Sequence, residues 1–143
     1  MVVSVLVVAL VAGCGGGGGD KLTHGEFVDQ ANAICSDYNR RIGALGTPSS
    51  FDDIIAFARS ARTVAEEDVG KFKKLNPPAA DRDNWKAYGD KGDEVIAISH
   101  DLEKAAKDMD AAALQRLLTQ SQKRAAETKR IALAMGAKEC AKT

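Results

Sequence analysis

The chain has 143 residues, and its 20 Lys and Arg are balanced by 20 Asp and Glu, so it carries no net charge at neutral pH. That balance removes the basic field that nucleic-acid binding requires, and the length suits one domain with one core and not two. Only 5 % of the residues are aromatic while alanine is abundant, which predicts slender, closely packed helices and no large ligand cavity.

Val2 to Ala12 is apolar apart from Ser4, eleven residues in all. A membrane-spanning helix needs about 20, so the run is too short to span and fits instead the apolar part of a secretory leader. The small residues Ala12 and Gly13 suit cleavage before Cys14. Leu10-Val11-Ala12-Gly13-Cys14 resembles a bacterial lipobox. The resemblance implies that residues 1–13 are a signal peptide, that Cys14 is acylated, and that the protein is tethered by lipid to a membrane outside the cytoplasm. More than one acyl chain is needed for stable attachment, and lipobox processing supplies a diacylglyceryl group. Gly15 to Gly19 make residues 14–22 a flexible tether. No Lys or Arg lies between Met1 and Leu10, where such a leader is basic, which places the start of translation upstream of Met1.

Four amphipathic segments follow. The first opens with Thr23-His24-Gly25-Glu26, a capping-box pattern, and its apolar positions Phe27, Ala31, Ile34, Tyr38 and Ile42 fall on one helical face. Gly43 to Pro48 ends it. The second opens at Ser50 with Asp53 three residues on and carries Ile54, Ile55, Ala58, Ala61, Ala65, Val69, Phe72 and Leu75. Asn76-Pro77-Pro78 stops it, because proline lacks the amide donor and clashes with the preceding turn.

The third segment starts near Asp81 with the heptad Trp85, Tyr88, Gly92, Val95, Ser99, Leu102, Ala106 and Met109. Gly89 and Gly92 permit a turn at 88–93, but the heptad keeps its phase and predicts a continuous or kinked helix. The fourth follows Asp110 with Leu114, Leu118, Ser121, Ala125, Thr128, Ala132 and Met135, and Gly136 provides the C-terminal cap. Steps of three and four throughout, with no strand alternation, predict an all-α fold over 23–143, an antiparallel up-down-up-down four-helix bundle.

Charge bears on pairing. Asp81 to Asp110 holds nine acids and five bases, whereas Ala111 to Thr143 holds two acids and seven bases. Opposite signs predict that the last two helices are neighbours, with Arg116, Lys123, Arg124, Lys129 and Arg130 pairing with the acidic helix. The alternative for those five is a patch for an anionic ligand or lipid headgroups.

With Cys14 assigned to lipid, Cys35 and Cys140 remain, and an oxidising compartment makes a disulfide between them the expectation. Two buried free thiols are the alternative. Neither cysteine has neighbouring ligands for a metal, and no CxxC pair occurs.

The search for chemistry yields little. His24 and His100 each stand alone, without the Glu-x-x-His pairs of di-iron bundles. Asp81-Arg82-Asp83-Asn84 begins like a calcium loop, but Trp85 and Gly92 occupy ligand positions. Glu66-Glu67-Asp68 and the acids between Asp90 and Glu94 are what any charged helix carries. No catalytic residue, metal site or cofactor is therefore expected.

Taken together, the lipobox, Phe27 to Cys35 in a capped helix, the Leu75-Asn76-Pro77-Pro78 break, Trp85, and Gly136 to Cys140 resemble the small lipoproteins of high-GC Gram-positive bacteria. That resemblance implies a disulfide-bracketed helical domain at the cell envelope and transfers no active-site residue. The leading expectation is a non-enzymatic lipoprotein whose bundle binds or scaffolds another envelope component. The rival is a carrier of a small ligand, metal or cofactor in the bundle interior, with Trp85, Tyr88, Gly92 and Ser99 as its candidate binding residues. A hydrolase of the envelope is a distant third.

Overall fold

The computed structural model describes residues 21–142. The leader, Cys14, the glycine run and Thr143 lie outside the described residues. Local chemistry sets the helix starts. At α1 (His24–Gly43), Thr23 Oγ1 accepts the Glu26 amide and Glu26 Oε2 accepts the Thr23 amide at 2.9 Å, a complete capping box. At α2 (Phe51–Lys73), Ser50 Oγ accepts the Asp53 amide. A 3-10 turn, Ala79–Asp81, leads from the Pro77-Pro78 break into α3 (Arg82–Lys107), which runs unbroken through Gly89 and Gly92. Asp110 Oδ1 accepts the Ala113 amide and starts α4 (Ala111–Ala134), and a second 3-10 turn, Glu139–Ala141, closes the described chain. The fold is an all-α bundle of four helices, with no strand among the described residues. None of these helices is long and apolar enough to cross a membrane.

Ion pairs report how the helices lie. Asp37 and Arg41 of α1 meet Lys71 and Glu67 of α2, Arg59 and Lys73 of α2 meet Glu103 and Asp93 of α3, and Lys91 and Glu94 of α3 meet Glu127 and Arg124 of α4. Each series descends on one helix as it ascends on the next, so neighbouring helices are antiparallel across these pairs.

Two clusters form the core. The larger gathers Phe27, Ala31 and Cys35 of α1, Phe72 of α2, and Ala132, Met135, Ala137, Cys140 and Ala141 from the end of the chain, with Leu22, Trp85 and Tyr88 packed against it. Phe27 and Met135 are completely buried, and each contributes roughly 2 kcal/mol of transfer free energy. The Cys35–Cys140 disulfide, spanning a sequence separation of 105, ties α1 to the C-terminal turn inside this cluster. Asn39 Nδ2 donates to the Glu139 carbonyl, and Asn32 Oδ1 accepts the Glu139 amide, which holds the same turn in place. The smaller cluster, Ala105, Ala106 and Leu114 with half-buried Ile54, Ile55, Leu102 and Leu117, sits at the opposite end. Both clusters and the disulfide are formed by residues within 21–142.

Two heptad assignments need correcting. Met109 is exposed, at 71 %. It lies beyond the end of α3 with φ 51°, where its amide bonds the Ala106 carbonyl and the Asp110 amide bonds the Ala105 carbonyl, a Schellman ending. The helix stops there because Asp110 is already capping α4. Leu118 is also exposed, at 51 %, and Leu117 packs inward instead. Ala113, Leu114 and Leu117 pack together, so the inward face at the start of α4 is centred on the side of Leu114 away from Leu118.

Candidate functional site

The reach of α1 creates the site. Arg41, near its end, pairs with Glu67 at 2.7 Å, whereas α2 begins at Phe51. Sixteen residues of α2, about 24 Å of helix, therefore extend beyond the level where α1 stops. The connection 44–50 spans that length without lining the space left behind. The result is a half-open groove of about 590 Å³ running between all four helices. Its volume lies within the range of small-molecule sites, roughly 300–1,000 Å³. This overturns the expectation of a closely packed interior with no large cavity. Alanines and few aromatics do make thin helices, but a short first helix prevents them from closing over one another.

The groove walls are mainly apolar. Ile34 and Ile42 come from α1, Phe57, Ala61 and Ala65 from α2, Val95, Ile98 and Leu102 from α3, and Ala125 from α4. Polar groups gather where α1 and α2 meet. Asp68 is only 3 % exposed; its Oδ1 accepts Lys71 Nζ at 2.6 Å, while its Oδ2 takes no hydrogen bond among the described residues and stands 3.7 Å from Arg41 Nη1. Tyr38 lies near it: burial, reinforced by the Asp68 charge, raises the Tyr38 hydroxyl above the ordinary tyrosine range. Burial, with a smaller contribution from Tyr38, does the same to Tyr88 more strongly. Both phenols therefore remain protonated donors around neutral pH. Tyr88 Oη donates toward Cys35 Sγ at 3.4 Å, since a disulfide sulfur has no proton of its own to give. On the α4 side, Thr128 Oγ1 is buried and takes no hydrogen bond among the described residues. A buried polar group without a partner is costly and uncommon, and both of these line the groove.

Of the four residues expected to form a ligand site, Tyr88, Gly92 and Ser99 line the groove. Trp85 does not. Its Nε1–H donates to the Phe72 carbonyl at 3.0 Å, and its ring packs on the larger cluster. Ser99 is inward-facing but spends its hydroxyl on the Val95 carbonyl. Gly92 serves packing first: a Cβ there would stand 2.5 Å from Val69 Cγ2, so the glycine permits the close approach of α2 and α3. Sequence reasoning missed Asp68, Tyr38 as a polar group, and Thr128 as an unpartnered one. Asp68 did carry a signal, because it continues the stripe Ala61, Ala65, Asp68, Phe72, where an acid interrupts an otherwise apolar face.

The histidines do not join the groove. His24 Nδ1–H donates to Asp81 Oδ2 at 2.8 Å, tying the start of α1 to the start of α3, and His100 is exposed. Among the described residues no three His, Cys, Asp or Glu side chains cluster as metal ligands do.

α3 and α4 are neighbours, as their opposite charges predict, but only one of the five cations pairs with α3 among the described residues. Arg124 bonds Glu94 at 2.6 Å, and Glu127 bonds Lys91 at 3.0 Å. Arg116, Lys123, Lys129 and Arg130, however, are exposed and make no ion pair among the described residues.

No family model, curated protein or solved structure matches this chain. The function is therefore argued from the groove itself.

Proposed function

We propose that this protein is a non-enzymatic, lipid-anchored carrier of the cell envelope, whose groove holds a slender, largely apolar small molecule. The observation that carries the reading is the apolar groove of about 590 Å³ with the buried, incompletely bonded Asp68 carboxylate in its wall. Small-molecule sites combine apolar walls with a few convergent polar groups in this way. A ligand with a chain-like apolar body and one hydroxyl or amine donor satisfies Asp68 Oδ2 and fills the space between α1 and α4. The groove favours this carrier over a scaffold whose helices close on themselves. Leu10 to Cys14 and the glycine run support lipid anchoring, and the Cys35–Cys140 disulfide supports an oxidising compartment.

Native mass spectrometry of the chain from Asp20 onward, exported to an oxidising compartment and purified gently, tests this reading. An extra mass released on denaturation is expected, as is saturable binding of an apolar fluorescent probe such as N-phenylnaphthylamine. Ala125→Trp places an indole in the groove from an exposed position, so it should weaken probe binding at least tenfold while changing stability by less than about 0.5 kcal/mol. A bare monomer that also takes up no probe would overturn the carrier reading.

A further inference from the structure

We infer that the outer face of α4 lies against an anionic lipid surface. Arg116, Lys123 and Arg130 are spaced by seven residues, so they form one straight stripe about 21 Å long on the helix. Lys129 flanks it. All four are exposed and free of ion pairs among the described residues. The only acid in α4 is Glu127, which shares the side of the helix that carries Lys123 and Arg130 but is engaged by Lys91 and Arg124. Those two partners offset its charge, so the four unpaired cations leave this face net positive, although the chain as a whole is neutral.

Two further features favour a lipid surface over an acidic protein. Leu133 is 55 % exposed and stands one turn on from Lys129 and Arg130, on the same side of the helix. An exposed leucine beside unpaired Lys and Arg suits the boundary between headgroups and acyl chains. The direction of the chain agrees. Leu22 packs on the same cluster as Ile131 and Met135, so the polypeptide enters the bundle beside the end of α4 that carries Lys129 and Arg130. A membrane attachment preceding Leu22 would keep that end of α4 within a tether's length of the bilayer. The inference does not depend on what the groove holds, and the groove opens between α1 and α4 on the inner side of the helix, so both can operate together.

Each Lys or Arg held close to an anionic leaflet strengthens binding about fivefold. The test is flotation of the unacylated chain from Asp20 onward with vesicles containing phosphatidylglycerol, and with vesicles of phosphatidylcholine alone. Binding to the first and not the second, weakened by added salt, is expected. The triple variant Arg116→Gln, Lys123→Gln, Arg130→Gln should bind about a hundredfold less, with unchanged helicity and melting temperature because the side chains are exposed. Equal flotation of the variant and the parent, or no flotation with phosphatidylglycerol, overturns the inference. So does tight binding to a soluble polyanion without vesicle binding, which would assign the stripe to a different partner. Probe binding in the groove, measured on the same triple variant, should be unaffected, so failure here is separable from failure of the carrier reading.

Discussion

The two ends of the bundle solve the same packing problem differently. At one end α1, α2, α3, α4 and the C-terminal turn converge on completely buried Phe27, Ala132, Met135, Ala137 and Cys140, fastened by the disulfide and by the Asn32 and Asn39 bonds to Glu139. At the other end only α2, α3 and α4 meet, around three small or medium residues, and much of the apolar surface stays half-buried. Polar clasps compensate there: Glu103, 8 % exposed, binds Arg59, Arg62 and Lys107 at 2.7–2.9 Å. The difference shows that a small helical domain can keep an open groove if the opposite end is fastened strongly enough to hold the helices apart at fixed spacing.

Breaking the closed end should have the largest effect. Cys35→Ser removes a cross-link whose loop, in the chain-entropy model, stabilises by roughly 4 to 5 kcal/mol. Thermal unfolding should show a fall in Tm of many degrees, with amide protection lost first around Phe27 and Met135. An unchanged Tm would mean that the staple does not govern this end. Next in size is Gly92→Ala, which sets a methyl 2.5 Å from Val69 Cγ2 at the seam joining the two ends. Overpacking of this kind costs about 1–3 kcal/mol. Adding Val69→Ala should recover part of the loss in a double-mutant cycle, and strict additivity of the two would contradict the contact.

The clasp at the open end is tested by pH. Lys107, then Arg59 and Arg62, hold the Glu103 carboxyl down at about 2, against an ordinary value near 4.5. Because the folded value is the lower one, the stabilisation is complete above about pH 4.5 and disappears as pH falls toward 2. Glu103→Gln should therefore be less stable than the parent at neutral pH, with the gap closing on acidification through that window. A gap independent of pH would show that the ion pairs contribute nothing. The smallest effect is expected at Met109, which holds a left-handed φ of 51° in the turn joining α3 and α4. Gly136 ends α4 with the same Schellman bonding at φ 77° and suffers no side-chain strain. Met109→Gly should stabilise by about 1 kcal/mol, read as a small rise in the denaturant midpoint.

Much of this architecture was legible in the residues. Thr23 with Glu26, Ser50 with Asp53, Asp110, Pro77-Pro78 and Gly136 mark helix ends through local hydrogen bonding and steric exclusion, which need no tertiary context. The unbroken α3 was legible because its apolar phase survives Gly89 and Gly92. The candidate site was legible only in part. Tyr88, Gly92 and Ser99 lie on the inward face of α3 and so had to face whatever the interior contains, whereas Trp85 shares that stripe but is drawn to the Phe72 carbonyl. Asp68 looked like one acid among three.

What the sequence by itself determined is periodicity, caps and the pool of cysteines, because each follows from interactions over a few residues or from simple counting. What only the tertiary structure decided is how far each helix extends along its neighbours. Arg41 stands level with Glu67 and not with the start of α2, and no local pattern specifies that offset. It is set by long-range packing of Phe27 on Phe72 and by the Cys35–Cys140 link, and it is the offset that opens the groove beside Asp68.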